Sequence, residues 1–208
     1  MKIIPATFEI LGNINAEAML GNIESCGRVC YKSEKNSTPE SVDPFIRRLI
    51  KSGHESVIEH EKLTVKIVCD RGVTHELVRH RLASYSQEST RYCNYAQDKF
   101  GSELTFVKPC FWDSDSPPFA EWAKQMESVE KCYFSLISSG ATPEQARSVL
   151  PNSLKTEIVV TMNLREWRHF FKLRTSKRAH PQMREVGIPL LQAMKKLLPP
   201  VFDDLSVD

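Results

Sequence analysis

The chain has 208 residues, of which 41% are hydrophobic, and this is enough to bury one substantial core without requiring a second domain. The 28 lysines and arginines nearly balance the 26 aspartates and glutamates, so the formal charge of +2 excludes the global basic excess that supports non-specific nucleic-acid binding. Its apolar runs fall well short of the roughly 20 residues that span a bilayer. We therefore expect a single domain over residues 1–208 that contacts neither nucleic acid nor membrane.

Cysteine usage indicates the redox compartment. The chain has six cysteines, and none of them forms the Cys-x-x-Cys spacing of zinc ribbons. The first twelve residues lack the apolar core and the small-residue cleavage pattern of a secretory signal peptide. These observations predict reduced thiols and a cytoplasmic location.

In chain order, residues 3–10 alternate weakly and predict a short strand, and Asn15 then begins a helix whose body includes residues 16–23. A second helix is predicted over residues 42–51. Residues 63–68 alternate apolar and polar with β-branched side chains, which makes them the strongest strand of the sequence. After this strand, a short helix should lead into a polar segment that continues as loop or extended chain.

The second half of the chain carries clear helix-start signals. Thr142, followed by Pro143 and Gln145, forms a capping pattern, and Asn163 with Glu166 three residues later forms another. The predicted elements here are strands over residues 104–107 and 157–162 and helices over residues 120–138, from 143 to the residue before Pro151, from 164, and over 183–197. Only the acidic tail from Asp203 to Asp208 looks dispensable.

Helices and strands are intermixed without regular βαβ alternation, which predicts an α+β fold with a mixed or antiparallel sheet and several helices. The helix that begins after Asn163 should pack through one apolar stripe. This stripe is predicted to contain Leu164, Trp167, Phe170 or Phe171, and Leu173.

The segment from Arg79 to Tyr92 concentrates Arg and His with hydroxyl and amide side chains. Arginine offers a planar fork of donors that matches phosphate, while Ser, Thr, Tyr and Gln can contact sugars and base edges. A nucleotide would use all of these groups, whereas the simpler alternative is a solvated, charged connection after a helix.

Two further polar patterns allow more than one interpretation. His54 and His60 resemble a zinc-protease pair, but six positions put them some 240° apart on a helix, so a hydrogen-bonded turn is favoured over a metal site. Arg165, His169 and Lys172 share one helix face, which is either solvated or phosphate-binding. Asn163 is an ordinary N-cap residue, and a helix N-terminus is also a polar-ligand site.

These motifs together resemble the flavin-dependent thymidylate synthases. The resemblance rests on Arg79-His80-Arg81 followed after seven residues by Ser89, and it extends from about residue 20 to about residue 195. The other matching blocks are the segment from His54 to His60, Ala146-Arg147 with Leu150-Pro151, Asn163-Leu164-Arg165, and Leu173-Arg174.

The resemblance implies reductive methylation of dUMP to dTMP, with methylenetetrahydrofolate as carbon donor, NADPH as reductant and FAD relaying the hydride. It also implies a homotetramer with composite active sites and no metal, in which the segment around Ser56 reaches a neighbour's flavin. The alternative function is a non-catalytic nucleotide-binding or RNA-binding module that uses the same arginines with tyrosines as stacking platforms.

The resemblance also assigns residues. Those that would hold FAD are Ser56, Arg79, His80, Arg81, Gln87, Asn163, Arg165 and His169. Those that would hold dUMP are Glu76, Gln87, Ser89, Thr90, Arg91, Arg147 and Arg174. Arg174 would be catalytic, because a guanidinium beside the uracil imide lowers the imide pKa and raises electron density at C5.

Overall fold

The computed structural model describes residues 1–97 and 101–207. Within these residues the chain divides into two compact units. Unit 1 comprises residues 1–7, 67–79 and 86–159, and unit 2 comprises residues 8–66, 80–85 and 160–208. Several strands contribute residues to both units, so the expectation of one domain over residues 1–208 stays a prediction.

Six strands and eight helices lie in the described residues. The strands are β1 (Lys2–Ile4), β2 (Thr7–Leu11), β3 (Lys62–Asp70), β4 (Ala83–Gln87), β5 (Thr105–Val107) and β6 (Lys155–Asn163). The helices are α1 (Ala16–Val29), α2 (Val42–Lys51), α3 (Arg71–Leu77), α4 (Pro117–Ser138), α5 (Pro143–Ala146), α6 (Leu164–Arg174), α7 (Pro181–Leu197) and α8 (Pro199–Phe202). No helix of residues 1–97 and 101–207 is both long and apolar enough to cross a membrane.

The strands form a four-stranded sheet of order β2-β3-β6-β4 and a two-stranded sheet of β1 and β5. β1 and β5 are parallel, with Ile3 opposite Phe106. β3 and β6 are antiparallel, because backbone bonds join Leu164 to Glu61 at one end of the pair and Arg71 to Leu154 at the other. The α+β prediction is therefore confirmed.

Local sequence signals placed most elements correctly. Asn15, Thr142 and Asn163 are all N-caps whose side chains accept a backbone N–H of the first helical turn, as predicted. Two differences have local causes. The strand predicted over residues 3–10 is split, because Pro5 cannot donate to a ladder and separates β1 from β2. The helix after Thr142 is short, since α5 passes into a 3₁₀ turn over Arg147–Val149.

Each unit has its own apolar packing. In unit 1 the buried residues Leu104, Phe106 and Leu154 pack with Met126 and Tyr133 of α4. In unit 2 the largest buried side chains come from α6, where Leu164, Trp167, Phe170 and Phe171 are completely buried. The prediction that Leu173 belongs to this stripe was wrong, because Leu173 is 48% exposed. The neighbouring Phe171 takes the inward position on the last turn.

The prediction of a dispensable tail was also wrong, although Asp208 lies outside the described residues. Arg168 of α6 is 1% exposed, and its guanidinium donates to both carboxylate oxygens of Asp204, at 2.6 and 2.7 Å. It also donates to Glu55 and to the carbonyl oxygen of Val201. A guanidinium cannot be buried without acceptors, so residues 201–204 belong to the folded structure.

Asp204→Asn should lower the free energy of unfolding by about 1 to 2 kcal/mol, because it weakens a charge-assisted pair to a buried arginine. Urea unfolding measures this change. The matched control is Asp203→Asn, which loses only an exposed pair with Arg47 and should cost less than about 1 kcal/mol. Equal losses of unfolding free energy in the two variants would show that the pair with buried Arg168 stabilises the fold no more than an exposed ion pair does.

The same pair has a predictable pH dependence. The hydrogen bond from Arg168 holds the pKa of Asp204 below its ordinary value. A carboxyl with a lowered folded-state pKa stabilises the fold fully above its unfolded-state pKa, about 3.9, and loses this contribution as the pH falls through the folded-state value. The stability difference between the wild type and Asp204→Asn should therefore shrink below about pH 4.

Candidate active site

The residues that the sequence singled out fall into two groups, one in each unit. Unit 1 contains Glu76, Arg79, Gln87, Ser89, Thr90, Arg91 and Arg147. Unit 2 contains Ser56, His80, Arg81, Asn163, Arg165, His169 and Arg174.

In unit 2, the imidazole of His80 lies along one face of α6. Glu166, Phe170 and Arg174 are four residues apart, so they share this face. The carboxylate of Glu166 lies 3.0 Å from His80 Nδ1, and Arg174 Nε donates to His80 Nε2 at 3.2 Å. Both ring nitrogens of His80 are thus engaged by side chains of α6.

The surroundings of His80 keep it neutral. The residue is 4% exposed, and its ring packs edge-on against Phe170 at 5.2 Å and His169 at 5.5 Å. Burial lowers the pKa of His80, and the charge of Arg174 adds to this effect, while the hydrogen bond to Glu166 opposes it. The Tyr85 hydroxyl donates to the carbonyl oxygen of His80 at 2.7 Å. Burial raises the pKa of Tyr85 to about 12, so this donor stays protonated.

Three side chains of unit 2 are close enough to hold a cation. Ligand atoms of His80, Glu166 and His169 lie within 4.8 Å of one another. However, Arg174 already donates to one nitrogen of His80, and its permanent positive charge opposes a second cation. We assign no metal to this cluster.

A cleft of about 380 Å³ opens beside this cluster in unit 2. It is lined by Glu55, Glu59, Leu82, Asn163, Arg165, Glu166, His169 and Lys172. The basic face of α6 therefore borders a cleft, as the phosphate-binding interpretation of this face requires. Its cations are already paired, since Arg165 contacts Glu59 at 2.5 Å and Lys172 contacts Glu55 at 3.5 Å.

Ser56 and Arg81 occupy exposed positions in unit 2. Ser56 lies on a 3₁₀ helix over Glu55–His60, which confirms the predicted turn. The 3₁₀ helix keeps its place through Val57 and Ile58, which are buried beneath it. An exposed serine on a firmly held turn is available for contact with another molecule.

In unit 1, residues predicted to bind the phosphate and sugar of a nucleotide lie around a turn at Ser89. The carbonyl oxygen of Ser89 accepts from the backbone N–H groups of Tyr92 and Cys93, and the Ser89 hydroxyl accepts from the N–H of Arg91. Arg147 donates to the hydroxyl of buried Thr90 at 3.4 Å. The local fold thus places two arginines and two hydroxyls, from segments far apart in sequence, at one turn.

Arg91 itself is held in an exposed ion pair. Its Nε donates to Glu144 at 2.8 Å, and its guanidinium lies over the Tyr92 ring at 5.4 Å. About half of each side chain of the pair is exposed. Exposed ion pairs contribute little to stability, so an incoming phosphate could replace the carboxylate at small cost.

Gln87, at the end of β4, has a fixed amide orientation. Its Nε2 donates to the hydroxyls of Thr74 and Thr156, at 3.1 and 3.2 Å. Thr74 gives its own proton to the carbonyl oxygen of Arg71 at 2.8 Å, so toward Gln87 it can only accept. The NH₂ group, and not the amide oxygen, must therefore face Thr74.

Comparison with known proteins identifies the chain. The family model described as "Thymidylate synthase complementing protein" matches residues 15–200. The flavin-dependent thymidylate synthase of Pyrococcus furiosus is 41% identical over 171 residues, which cover 82% of this chain and 69% of that protein. The chain belongs to the flavin-dependent thymidylate synthase family.

Other relatives agree with this assignment. The flavin-dependent thymidylate synthase of Geobacter sulfurreducens is 37% identical over 185 residues, covering 85% of this chain and 78% of that one. The one from Mycobacteroides abscessus is 33% identical over 197 residues, covering 89% and 79%. This protein is accordingly an enzyme of the flavin-dependent thymidylate synthase type.

The fold is also found in a solved structure of related function. A UMP/dUMP methylase from Streptomyces cacaoi, bound with 5-Br dUMP, has a TM-score of 0.78 and 25% sequence identity. The similarity covers 98% of this chain and 96% of that one. The two proteins thus share a fold over nearly their whole lengths.

Sequence reasoning missed two acidic residues of this thymidylate synthase family member. Glu166 was assigned only to the cap of α6, although its carboxylate contacts His80. Glu88 accepts from the Tyr95 hydroxyl at 2.8 Å and from Lys155 at 3.0 Å, and so holds the segment beside the Ser89 turn. The spacing of Glu166 from Arg174 along one helix face was the available signal for the first residue.

Proposed function

We propose that this protein catalyses the reductive methylation of dUMP to dTMP, with methylenetetrahydrofolate as carbon donor and NADPH as reductant. FAD, when bound, would supply the hydride relay between NADPH and the transferred carbon. The observation that carries the proposal is the turn at Ser89 with Arg91 and Arg147, present in a chain of this family. Two arginines beside hydroxyl groups match the phosphate and sugar of a nucleotide.

The cleft of unit 2 fits part of a dinucleotide cofactor. Asn163 and Arg165 offer an N-terminal helix end and a cation, and Leu82 offers an exposed apolar side chain. The carboxylate of Glu59 competes for Arg165, but both side chains are roughly half exposed, so the ion pair is weak. We infer that Arg81 and His169 of the same unit contribute to the flavin site, since His169 lines this cleft and Arg81 is exposed. Arg79, His80 and Gln87 stay flavin-site predictions from the family resemblance.

The exposed Ser56 supports a composite site. Its position on the turn over Glu55–His60 would let it reach the flavin of a neighbouring subunit in a homotetramer.

The six cysteines all carry free thiols, which suits the reducing cytoplasm.

The remaining assigned residues would bind and polarise dUMP. Arg147 and Arg91 would hold the phosphate, with Glu76, Gln87, Ser89 and Thr90 around the nucleoside. Arg174 would stabilise the uracil ionised at N3, because a guanidinium never gives up its charge. The ionised ring has more electron density at C5, the carbon that attacks the one-carbon donor.

The direct test is the visible spectrum of the purified protein together with an assay of dTMP formation. We expect a yellow protein whose flavin absorbance is bleached by NADPH, and dTMP only when dUMP, methylenetetrahydrofolate and NADPH are all present. UMP in place of dUMP tests the wider specificity named for the Streptomyces enzyme. A colourless protein that still binds nucleotides would favour the non-catalytic module, and a bleachable flavin without dTMP would refute thymidylate synthesis.

Arg147→Ala should weaken dUMP binding by about 1.5 to 3 kcal/mol, or roughly tenfold to 150-fold in Kd, because it removes a charge-assisted phosphate contact. Titration calorimetry measures Kd, and flavin retention should change far less. The control is Arg47→Ala, which removes an exposed arginine paired with Asp43 on α2. Unchanged dUMP affinity in Arg147→Ala would remove this residue from the site.

Arg174→Lys keeps the positive charge but loses the planar fork of donors, so turnover should fall much further than the rate of flavin reduction by NADPH. Stopped-flow absorbance follows the reduction, and product analysis follows turnover. Equal losses in the two rates would indicate a structural or flavin-binding role for Arg174 instead.

A further inference from the structure

The contacts of His80 determine which of its nitrogens carries the proton. Arg174 Nε carries a hydrogen at every relevant pH, so His80 Nε2, 3.2 Å away, can only accept. An ionised Glu166 has no proton to give, so His80 Nδ1, 3.0 Å away, must donate. Only the neutral imidazole with its proton on Nδ1 satisfies both neighbours.

The other two states of the ring each break a contact. If the proton were on Nε2, the N–H groups of Nε2 and Arg174 Nε would point at each other. The lone pair of Nδ1 would then point at a lone pair of the Glu166 carboxylate, and neither contact would be a hydrogen bond. In the doubly protonated ring, Nε2 again meets a donor, and two positive charges lie side by side. The contact to Arg174 therefore depends on the acceptor at the opposite side of the ring.

We propose that Glu166 and His80 are positioning residues for Arg174: Glu166 holds His80 as the Nδ1–H tautomer, and His80 Nε2 then fixes the guanidinium through Nε. This inference rests on the proposed function, in which Arg174 polarises the uracil. A bond to Nε constrains the plane of the guanidinium, because Nε lies in that plane.

The surroundings of the ring are consistent with this role. Among the described residues, Glu166, Arg174 and His169 on α6 contact the ring of His80, and Tyr85 on β4 contacts its backbone carbonyl oxygen. Glu166 is 9% exposed and His80 is 4% exposed, so water competes little for either bond. Phe170, packed edge-on against the ring, limits its rotation.

The proposal is tested by exchanging the acceptor while keeping the volume of the side chain. Glu166→Leu removes the acceptor, and Glu166→Gln keeps an amide oxygen that can accept from Nδ1–H. We expect Glu166→Leu to lower kcat for dTMP by about tenfold to 100-fold, as misplacement of a catalytic group does, with KM for dUMP changed less than about threefold. Glu166→Gln should recover kcat to within about threefold of the wild type. Equal kcat losses in both variants would overturn the proposal.

Nitrogen-15 NMR of histidine-labelled protein reads the tautomer independently of catalysis. The His80 signals are assigned by their loss in His80→Gln. We expect the wild type and Glu166→Gln to show protonated Nδ1 and unprotonated Nε2 between pH 7 and 8, and Glu166→Leu to lose this pattern. An Nδ1–H tautomer that persists in Glu166→Leu would overturn the proposal.

The two measurements separate this inference from the proposed function. If the wild type forms no dTMP, the proposed function fails, but the NMR pattern still decides whether Glu166 sets the tautomer of His80. If dTMP forms and the tautomer changes in Glu166→Leu without any loss of kcat, the positioning role is refuted while thymidylate synthesis stands.

Discussion

The buried guanidinium of Arg168 is the constraint on which unit 2 depends. A charge that is 1% exposed must be matched by acceptors, and Arg168 takes them from Glu55, Val201 and Asp204. These partners come from the turn after α2 and from the end of the chain. One side chain of α6 therefore fixes the 3₁₀ helix over Glu55–His60 and the C-terminal residues at once.

The faces of helix α6 make different contacts. Trp167 and Phe171 stack with ring centroids 5.8 Å apart in the core, while the face with Glu166 and Arg174 holds the ring of His80. A third side, with Arg165, borders the cleft. The buried faces give the exposed one its rigidity, since rotation of the helix would expose two aromatic rings or an unpaired charge.

Much of this arrangement could be predicted from local sequence. The caps at Asn15, Thr142 and Asn163 worked because an N-cap bond joins residues three apart and needs no tertiary information. The anion-binding candidates in the segment that begins at Arg79 were recognisable from composition and from the family resemblance. Their grouping into two compact units was not.

The errors share a physical cause, which is dependence on contacts distant in sequence. The burial of Arg168 could not be predicted because its carboxylates lie 36 and 113 residues away. The tail from Asp203 looked dispensable for the same reason, because the contact of Asp204 with Arg168 joins residues that are distant in sequence. Leu173 fitted the apolar period of α6, and only one of Phe170 and Phe171 was expected in the stripe, but both phenylalanines are buried and Leu173 is exposed. Which side chains of the last turn are buried depends on what this turn packs against, and this is tertiary information.

The locked amide of Gln87 limits what this side chain can recognise. Because Nε2 is used by Thr74 and Thr156, the only group that Gln87 can offer to a ligand is its carbonyl oxygen. That oxygen repels anionic or purely accepting groups and selects for an N–H or O–H. Gln87 is therefore suited to the donor edge of a base or a ribose hydroxyl and unsuited to a phosphate. Two buried threonines, neither of which needs to touch the ligand, set the polarity of this contact.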